Sequence, residues 1–225
     1  MLSKNITCRI LGLGLSPFLI LATDSVIIII MNTVLQHYGG PKEGDLLITC
    51  ATIVQSYMML ITGPMLGISS GTQAILSYNY GAKATRRVRK AERCILLLCL
   101  CFTSLMFLLS RIVPQYFIGI FTRDPGLTDL CIWGIHIFTL MIVPLSFQYV
   151  FVDGFTALGR SKTALFLSLF RKGDYVLFTM ILPIFYGARS AFYAQPLADG
   201  IAAVMSTVAF LLIFKKHLQK QEVSL

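Results

Sequence analysis

Apolar residues run through this chain in six long stretches, at 10–36, 48–78, 94–110, 130–158, 163–186 and 192–214. A helix that crosses a hydrocarbon core needs about 17–25 mostly apolar residues, and each stretch is long enough. Lipid offers no partner for backbone N–H and C=O groups, so such stretches must be helices. Short alternating strands of the kind that build a barrel are absent from the pattern. The reading is an all-α membrane protein, a six-transmembrane-helix bundle occupying 1–225 as a single lobe.

Composition agrees. Hydrophobic residues make up 56% of the chain and charged residues 13%, too little charge to cover a soluble domain. The basic residues are segregated. If the connecting segments alternate between two sides, one side receives Lys4, Arg9, Lys83, Arg86, Arg87, Arg89, Lys90, Arg93, Arg160, Lys162, Lys215, Lys216 and Lys220. The other receives Lys42, Arg111, Arg123 and Arg189, while Arg171 and Lys172 fall inside the fifth stretch. Basic segments stay cytoplasmic, so both termini are expected inside, in a multi-pass protein of the plasma (inner) membrane. The net charge of +9 is then a topology signal, and nucleic acid is not an expected partner because no soluble domain remains to bind it. The basic segment 83–93 reads as an amphipathic stretch resting on anionic lipid, after a glycine stop at Gly81.

Polar residues inside the stretches mark candidate sites. Asp24 lies in the first, beside Ser25 and about two turns before Asn32. An acid so placed faces a bundle interior or a watery cavity. It is either a proton carrier or a neutral acid bonded to a neighbouring helix. In the second stretch Gly63, Gly67 and Gly71 recur every four residues, a ridge that lets a helix approach closely, and Pro64 predicts a kink. Gln55, Thr62, Ser69 and Gln73 form a polar stripe there, lining a cavity or bonding to neighbours. The third stretch holds no acid, and its apolar run 95–100 is expected to face lipid. In the fourth, His136, Thr139, Ser146 and Asp153 share a face, with Gln148 nearby and Pro144 as an interruption; Asp153 is within reach of Arg160. In the fifth, Arg171 and Asp174 are one turn apart and expected to pair, with Lys172 reaching outward. In the sixth, Gln195, Asp199 and Ser206 share a face.

Enzyme motifs are missing: no Gly-x-Ser-x-Gly, no His-Glu-x-x-His and no phosphate loop. An intramembrane hydrolase would have to rest on Asp24 and Asp153 alone. Cys8, Cys50, Cys94, Cys99, Cys101 and Cys131 show no metal spacing and read as free thiols used as small apolar residues. No cofactor or metal is expected. Any transport would be driven by an ion gradient, H⁺ or Na⁺.

Several ordered pieces resemble the carboxy-terminal half of the multidrug and toxic compound extrusion (MATE) transporters, in their bacterial MepA-like branch. They are Gly14-Leu15-Ser16-Pro17-Phe18-Leu19, Tyr38-Gly39-Gly40, Gly71-Thr72-Gln73, and Tyr78-Asn79-Tyr80-Gly81-Ala82-Lys83. Further along come Phe147-Gln148, Ala157-Leu158-Gly159-Arg160, Leu167-Ser168-Leu169-Phe170-Arg171 and Pro196-Leu197-Ala198-Asp199. The resemblance implies a second six-helix lobe, related to a first lobe by a pseudo-twofold axis along the membrane normal. It also implies antiport of drug-like organic cations against H⁺ or Na⁺. Asp24, Asn32, Gln55, Gln73, Asn79, Ser146, Gln148 and Asp153 would then lie along the substrate and cation pathway. Gly63, Gly67, Gly71, Arg171, Asp174 and Asp199 would be structural. The chain departs from the family pattern in lacking the first lobe and its acid. Ala74 also stands where a proline often follows the glutamine, and Asp24 and Asp153 stand where small polar residues are usual. Three readings of the half-length follow: an inactive fragment, a lobe that pairs with a separately encoded partner or with itself, or a membrane protein that only recruits partners.

The charge pattern makes a topology prediction. On a cysteine-free background, Arg86→Cys and Lys216→Cys should react with an impermeant maleimide from the same side of the membrane, and Lys42→Cys from the opposite side.

Overall fold

A computed structural model describes residues 4–214 of the chain, with side chains at Phe18 and 22–213. The residues 1–3 and 215–225, and with them His217, Lys215, Lys216 and Lys220, lie outside the described residues, as do the side chains of Lys4, Cys8, Arg9 and the Gly14–Pro17 motif. All regular structure among the described residues is helical.

The first helical stretch, Lys4–Gly71, changes direction at Gly40, the one residue in it with non-helical dihedrals (φ 66°, ψ −173°). This divides it into α1 (4–39) and α2 (41–71). A positive φ suits glycine, and Pro41 starts the second helix with its φ already set. The turn is tight. A Cβ built on Gly44 would lie 3.1 Å from the Cα of Gln36, eight residues back. Along a straight helix those residues would be about 12 Å apart, so the chain folds back on itself here. A Cβ on Gly39 would lie 2.8 Å from the backbone of Gly44. The expected loop between the first two stretches thus shrinks to a glycine hinge. Exposed Arg189 and Glu43 pair at 3.0 Å, joining α2 to the segment 188–193.

Helix α2 keeps helical dihedrals through Pro64; it gives way at Thr72, and α3 (Gln73–Gly81) follows. The expected glycine stop at Gly81 is displaced. Lys83 takes the left-handed conformation (φ 56°), with Ala84 N–H bonded to Asn79 O and Lys83 N–H to Tyr80 O. That is a Schellman cap with lysine in the glycine position. The basic segment then forms the first turns of α4 (Thr85–Ile112), not a separate surface element. Thr85, Val88, Glu92, Ile95, Cys99 and Thr103 are buried at three- and four-residue intervals, while Arg86, Arg87, Arg89, Lys90 and Arg93 are exposed. The run 95–100 therefore has two faces: Leu97 and Leu98 point outward, but Ile95 and Cys99 pack inside.

After the short α5 (Pro114–Ile118), α6 (Pro125–Phe138) and α7 (Ile142–Ala157) meet at a bend of 49° and together make one apolar passage. The break falls at 139–141, just before Pro144, which occupies the first turn of α7 where its missing N–H costs nothing. Helix α8 (Ser161–Tyr186) ends at Gly187 (φ 80°). A 3₁₀ turn, Ala188–Tyr193, leads to α9 (Ala194–Ala209) and a terminal π-helical turn, Phe210–Phe214. The main core joins Met31, Leu35, Leu47, Val54 and Ile61 of the hairpin to Ile135, Phe138, Ile142 and Leu145 of the bent pair and to Ile95 and Cys99 of α4. Thr33, Thr49, Thr52, Ser56, Thr62 and Ser70 return their hydroxyls to carbonyls four residues back, which hides polar groups within apolar helices. Cys50, Cys94, Cys99, Cys101 and Cys131 are free thiols.

Packing separates the glycines. Around Gly63, Gly67 and Gly71 a Cβ would meet nothing within 4 Å among the described residues. Gly39→Ala should therefore destabilise the detergent-solubilised chain by about 1–3 kcal/mol through backbone collision. Gly63→Ala should be neutral, or stabilising by up to about 1 kcal/mol from helix propensity. Thermal unfolding followed by circular dichroism distinguishes the two.

Candidate functional site: a cavity beside paired charges

Where α1, α2, α8 and α9 come together with the end of α6 they enclose an open cavity of about 220 Å³. Its walls are Ile27, Ile28, Met58, Met59, Phe138 and Tyr175, and its polar lining is Asp24, Gln55, Thr62, Arg171, Lys172 and Gln195. The Met and aliphatic surfaces are deformable and apolar. Gln55 and Thr62 are the upper half of the polar stripe on α2, one i, i+7 step apart on one helix face.

Helix α8 supplies both cations. Lys172 is 6% exposed, and its Nζ lies 2.6 Å from Oδ1 of Asp24, whose side chain is 52% exposed. The ammonium is in the wall and the carboxylate faces the opening. Arg171 turns the other way: its Nη1 donates to Oδ1 of the fully buried Asp199 at 3.0 Å, and Gln195 Nε2 donates to Oδ2 at 2.8 Å. The guanidinium also sits 5.7 Å over the Tyr149 ring.

Two sequence expectations are corrected here. Arg171 pairs with Asp199, not with Asp174, whose Oδ2 is buried without a hydrogen-bond partner. Lys172 does not reach outward; its ammonium is held by Asp24. Spacing on one helix suggested the first pairing, but an acid on the packed neighbour is nearer.

The remaining predicted residues lie elsewhere. Ser69 Oγ and Gln73 Nε2 donate to the two carboxylate oxygens of Asp153, Gln73 at 2.8 Å. Asp153 is thus held by α2 and α3. Ser146 is buried and bonded to Thr103 at 2.8 Å, and Thr139 to Ser110 at 3.1 Å, so the polar face of α6 and α7 packs against α4. The carbonyl of His136 accepts from Arg111 Nη2 at 2.8 Å. Gln148 is buried, with Nε2 at 3.5 Å from Leu167 O. Asn79 Nδ2 donates to Ile75 O on its own helix. Asn32 is half-buried on α1 and does not line the cavity. Glu92, which the sequence reading grouped with the basic segment, is 4% exposed, and both its carboxylate oxygens lack a hydrogen-bond partner. It packs on Gly154, where a Cβ would be 2.7 Å from Oε1. Its spacing of four residues from Val88 and three from Ile95 is the signal that could have placed it inside. No group of three or more His, Cys, Asp or Glu suited to a metal occurs among the described residues.

The chain and its helical fold match known proteins. The MatE family profile aligns with residues 18–182. The chain belongs to the MatE family. Among solved structures it is similar to a multidrug resistance MATE family transporter of the MOP superfamily in its outward-facing conformation (TM-score 0.83, 18% identity), covering 99% of this chain and 49% of that one. The inward-facing conformation of such a transporter gives 0.82 at 18% identity, with 99% and 50% covered. MATE in the straight conformation gives 0.82, also at 18%, with 99% and 48% covered. No curated protein matches by sequence. The chain spans about half the length of the solved transporters it matches and has the fold of one MATE lobe. It is a multi-pass membrane protein. A family of transporters leaves no place for the hydrolase reading.

The buried pair makes a prediction within this MATE lobe. Asp199→Asn or Arg171→Met alone should destabilise the chain by about 3–5 kcal/mol by stranding one charge. Arg171→Met combined with Asp199→Leu should recover most of that loss, as read from chemical or thermal unfolding in detergent.

Proposed function

We propose that this chain is one half of a gradient-driven exporter of drug-like organic cations, exchanging them for H⁺ or Na⁺. The observation that carries the reading is Asp24: a half-exposed carboxylate at the mouth of a cavity walled by Met58, Met59, Ile27 and Tyr175. A flat lipophilic cation needs that combination, one anionic contact and a deformable apolar wall. Gln55, Thr62 and Gln195 add polar contacts at the rim. Protonation of Asp24, or a sodium ion at its carboxylate, would release the cation.

The second half of the pathway comes from a second lobe. The exposed ridge Gly63, Gly67 and Gly71, which no described residue covers, supports such a partner. The near-equal likeness to outward- and inward-facing structures supports a lobe that keeps its internal shape while access alternates. We place both termini in the cytoplasm of a cell whose plasma membrane carries the exporter, on the strength of the basic segments. A second reading, a fragment without transport activity, rests on the half-length match.

Ethidium efflux tests the proposal. Cells co-expressing the chain with its upstream neighbour, or the chain alone if it self-associates, should extrude ethidium in a manner abolished by a protonophore or by sodium removal. Asp24→Asn should reduce the rate at least about tenfold, on the scale of losing a charge-assisted contact. Unchanged efflux in that variant removes Asp24 from the mechanism. No efflux under any pairing leaves the inactive fragment.

A further inference from the structure

Asp24 is not a vacant carboxylate. Lys172 already holds it at 2.6 Å, from a position 6% exposed, while Asp24 itself is 52% exposed. Asp199 is committed to Arg171 and Gln195 through its two oxygens and is fully buried. The two cations and two carboxylates around the cavity therefore balance, and an incoming monovalent cation finds one accessible anion, which is engaged.

On the reading above, we propose that Lys172 is a tethered counter-cation that competes with substrate for Asp24. The empty site is neutral because the lysine occupies it. A cationic substrate binds by taking the carboxylate from the ammonium, which must then turn to the cavity water or give up its proton. Lys172 is thus a specificity-determining residue. It weakens binding of weakly interacting cations such as small alkylammoniums, and it passes those whose apolar body gains enough from the Met and Tyr wall to offset the lost ion pair. The same step couples binding to release, since the lysine is always positioned to reclaim Asp24 when the substrate leaves. Arg171 cannot play this part, because its acid faces away from the opening.

The test uses the purified 225-residue chain in lipid nanodiscs, with ethidium binding read by fluorescence polarisation and folding by thermal unfolding. Lys172→Gln should tighten ethidium binding by about 5–150-fold, the range of an ordinary coupling free energy. Lys172→Arg should bind like the parent chain, and Asp24→Asn with Lys172→Gln should lose the gain. If Lys172→Gln does not fold, the exchanged pair, Asp24→Lys with Lys172→Asp, keeps the bridge but presents the ammonium to the cavity, and it should lose ethidium binding. Equal affinity of the parent and Lys172→Gln chains, or parent-like binding by the exchanged pair, overturns the competition while the exporter reading stands. No binding by the parent, Lys172→Gln and exchanged chains overturns both.

Discussion

Two neighbouring cations in the middle of an apolar helix govern the arrangement of this lobe. Arg171 and Lys172 leave α8 about 100° apart, so one carboxylate cannot serve both. Each finds its own: Asp199 on α9 for the arginine, Asp24 on α1 for the lysine. Unpaired charge is costly in a hydrocarbon surround. The positions of α1 and α9 about α8 are therefore constrained by charge as well as by shape. The cavity is a consequence. It opens where the lysine reaches its acid from the wall, leaving the carboxylate partly accessible and the arginine's acid sealed behind.

The other polar groups divide between holding the lobe together and facing the cavity. Thr103 with Ser146 and Ser110 with Thr139 fasten α4 to the bent pair α6 and α7. Ser69 and Gln73 spend their donors on Asp153. Gln55 and Thr62, on the same stripe of α2, reach the cavity instead. One helix face thus has two uses, because successive turns meet different neighbours. Periodicity identifies such a face but not what covers each turn.

That distinction explains what was legible in the sequence. The apolar runs gave the all-helical membrane fold, and the spacing of polar residues singled out Asp24, Asp153 and Asp199, the acids of the interior pairs. Choosing partners was harder. The i, i+3 rule favoured Arg171 with Asp174, but it describes an isolated helix, and in a bundle Asp199 on α9 lies closer. A balance of two adjacent cations against acids in two other passages would have pointed to the observed pairs. Glu92 was hidden by the basic residues around it, although its spacing from Val88 and Ile95 marks the inner face. The hinge at Gly40 falls in the segment 37–47 between the first two apolar stretches, and apolar runs do not say how short a connection is. What decides its length is backbone contact between Gly39 and Gly44, a tertiary fact.

The ridge Gly63, Gly67 and Gly71 lies next to the open edge of the cavity. It is exposed, and it continues the helix face that begins with Met59, a cavity residue that is itself 75% exposed. One turn separates Met59 from Gly63, so the open edge of the cavity and the start of the ridge adjoin. A body that packs closely on the glycines must approach Met59 as well, and its bulk would cover the mouth where Asp24 is exposed. Small residues allow that approach without side-chain rearrangement. The ridge and the open edge of the cavity beside Asp24 are therefore adjacent on a single helix, α2.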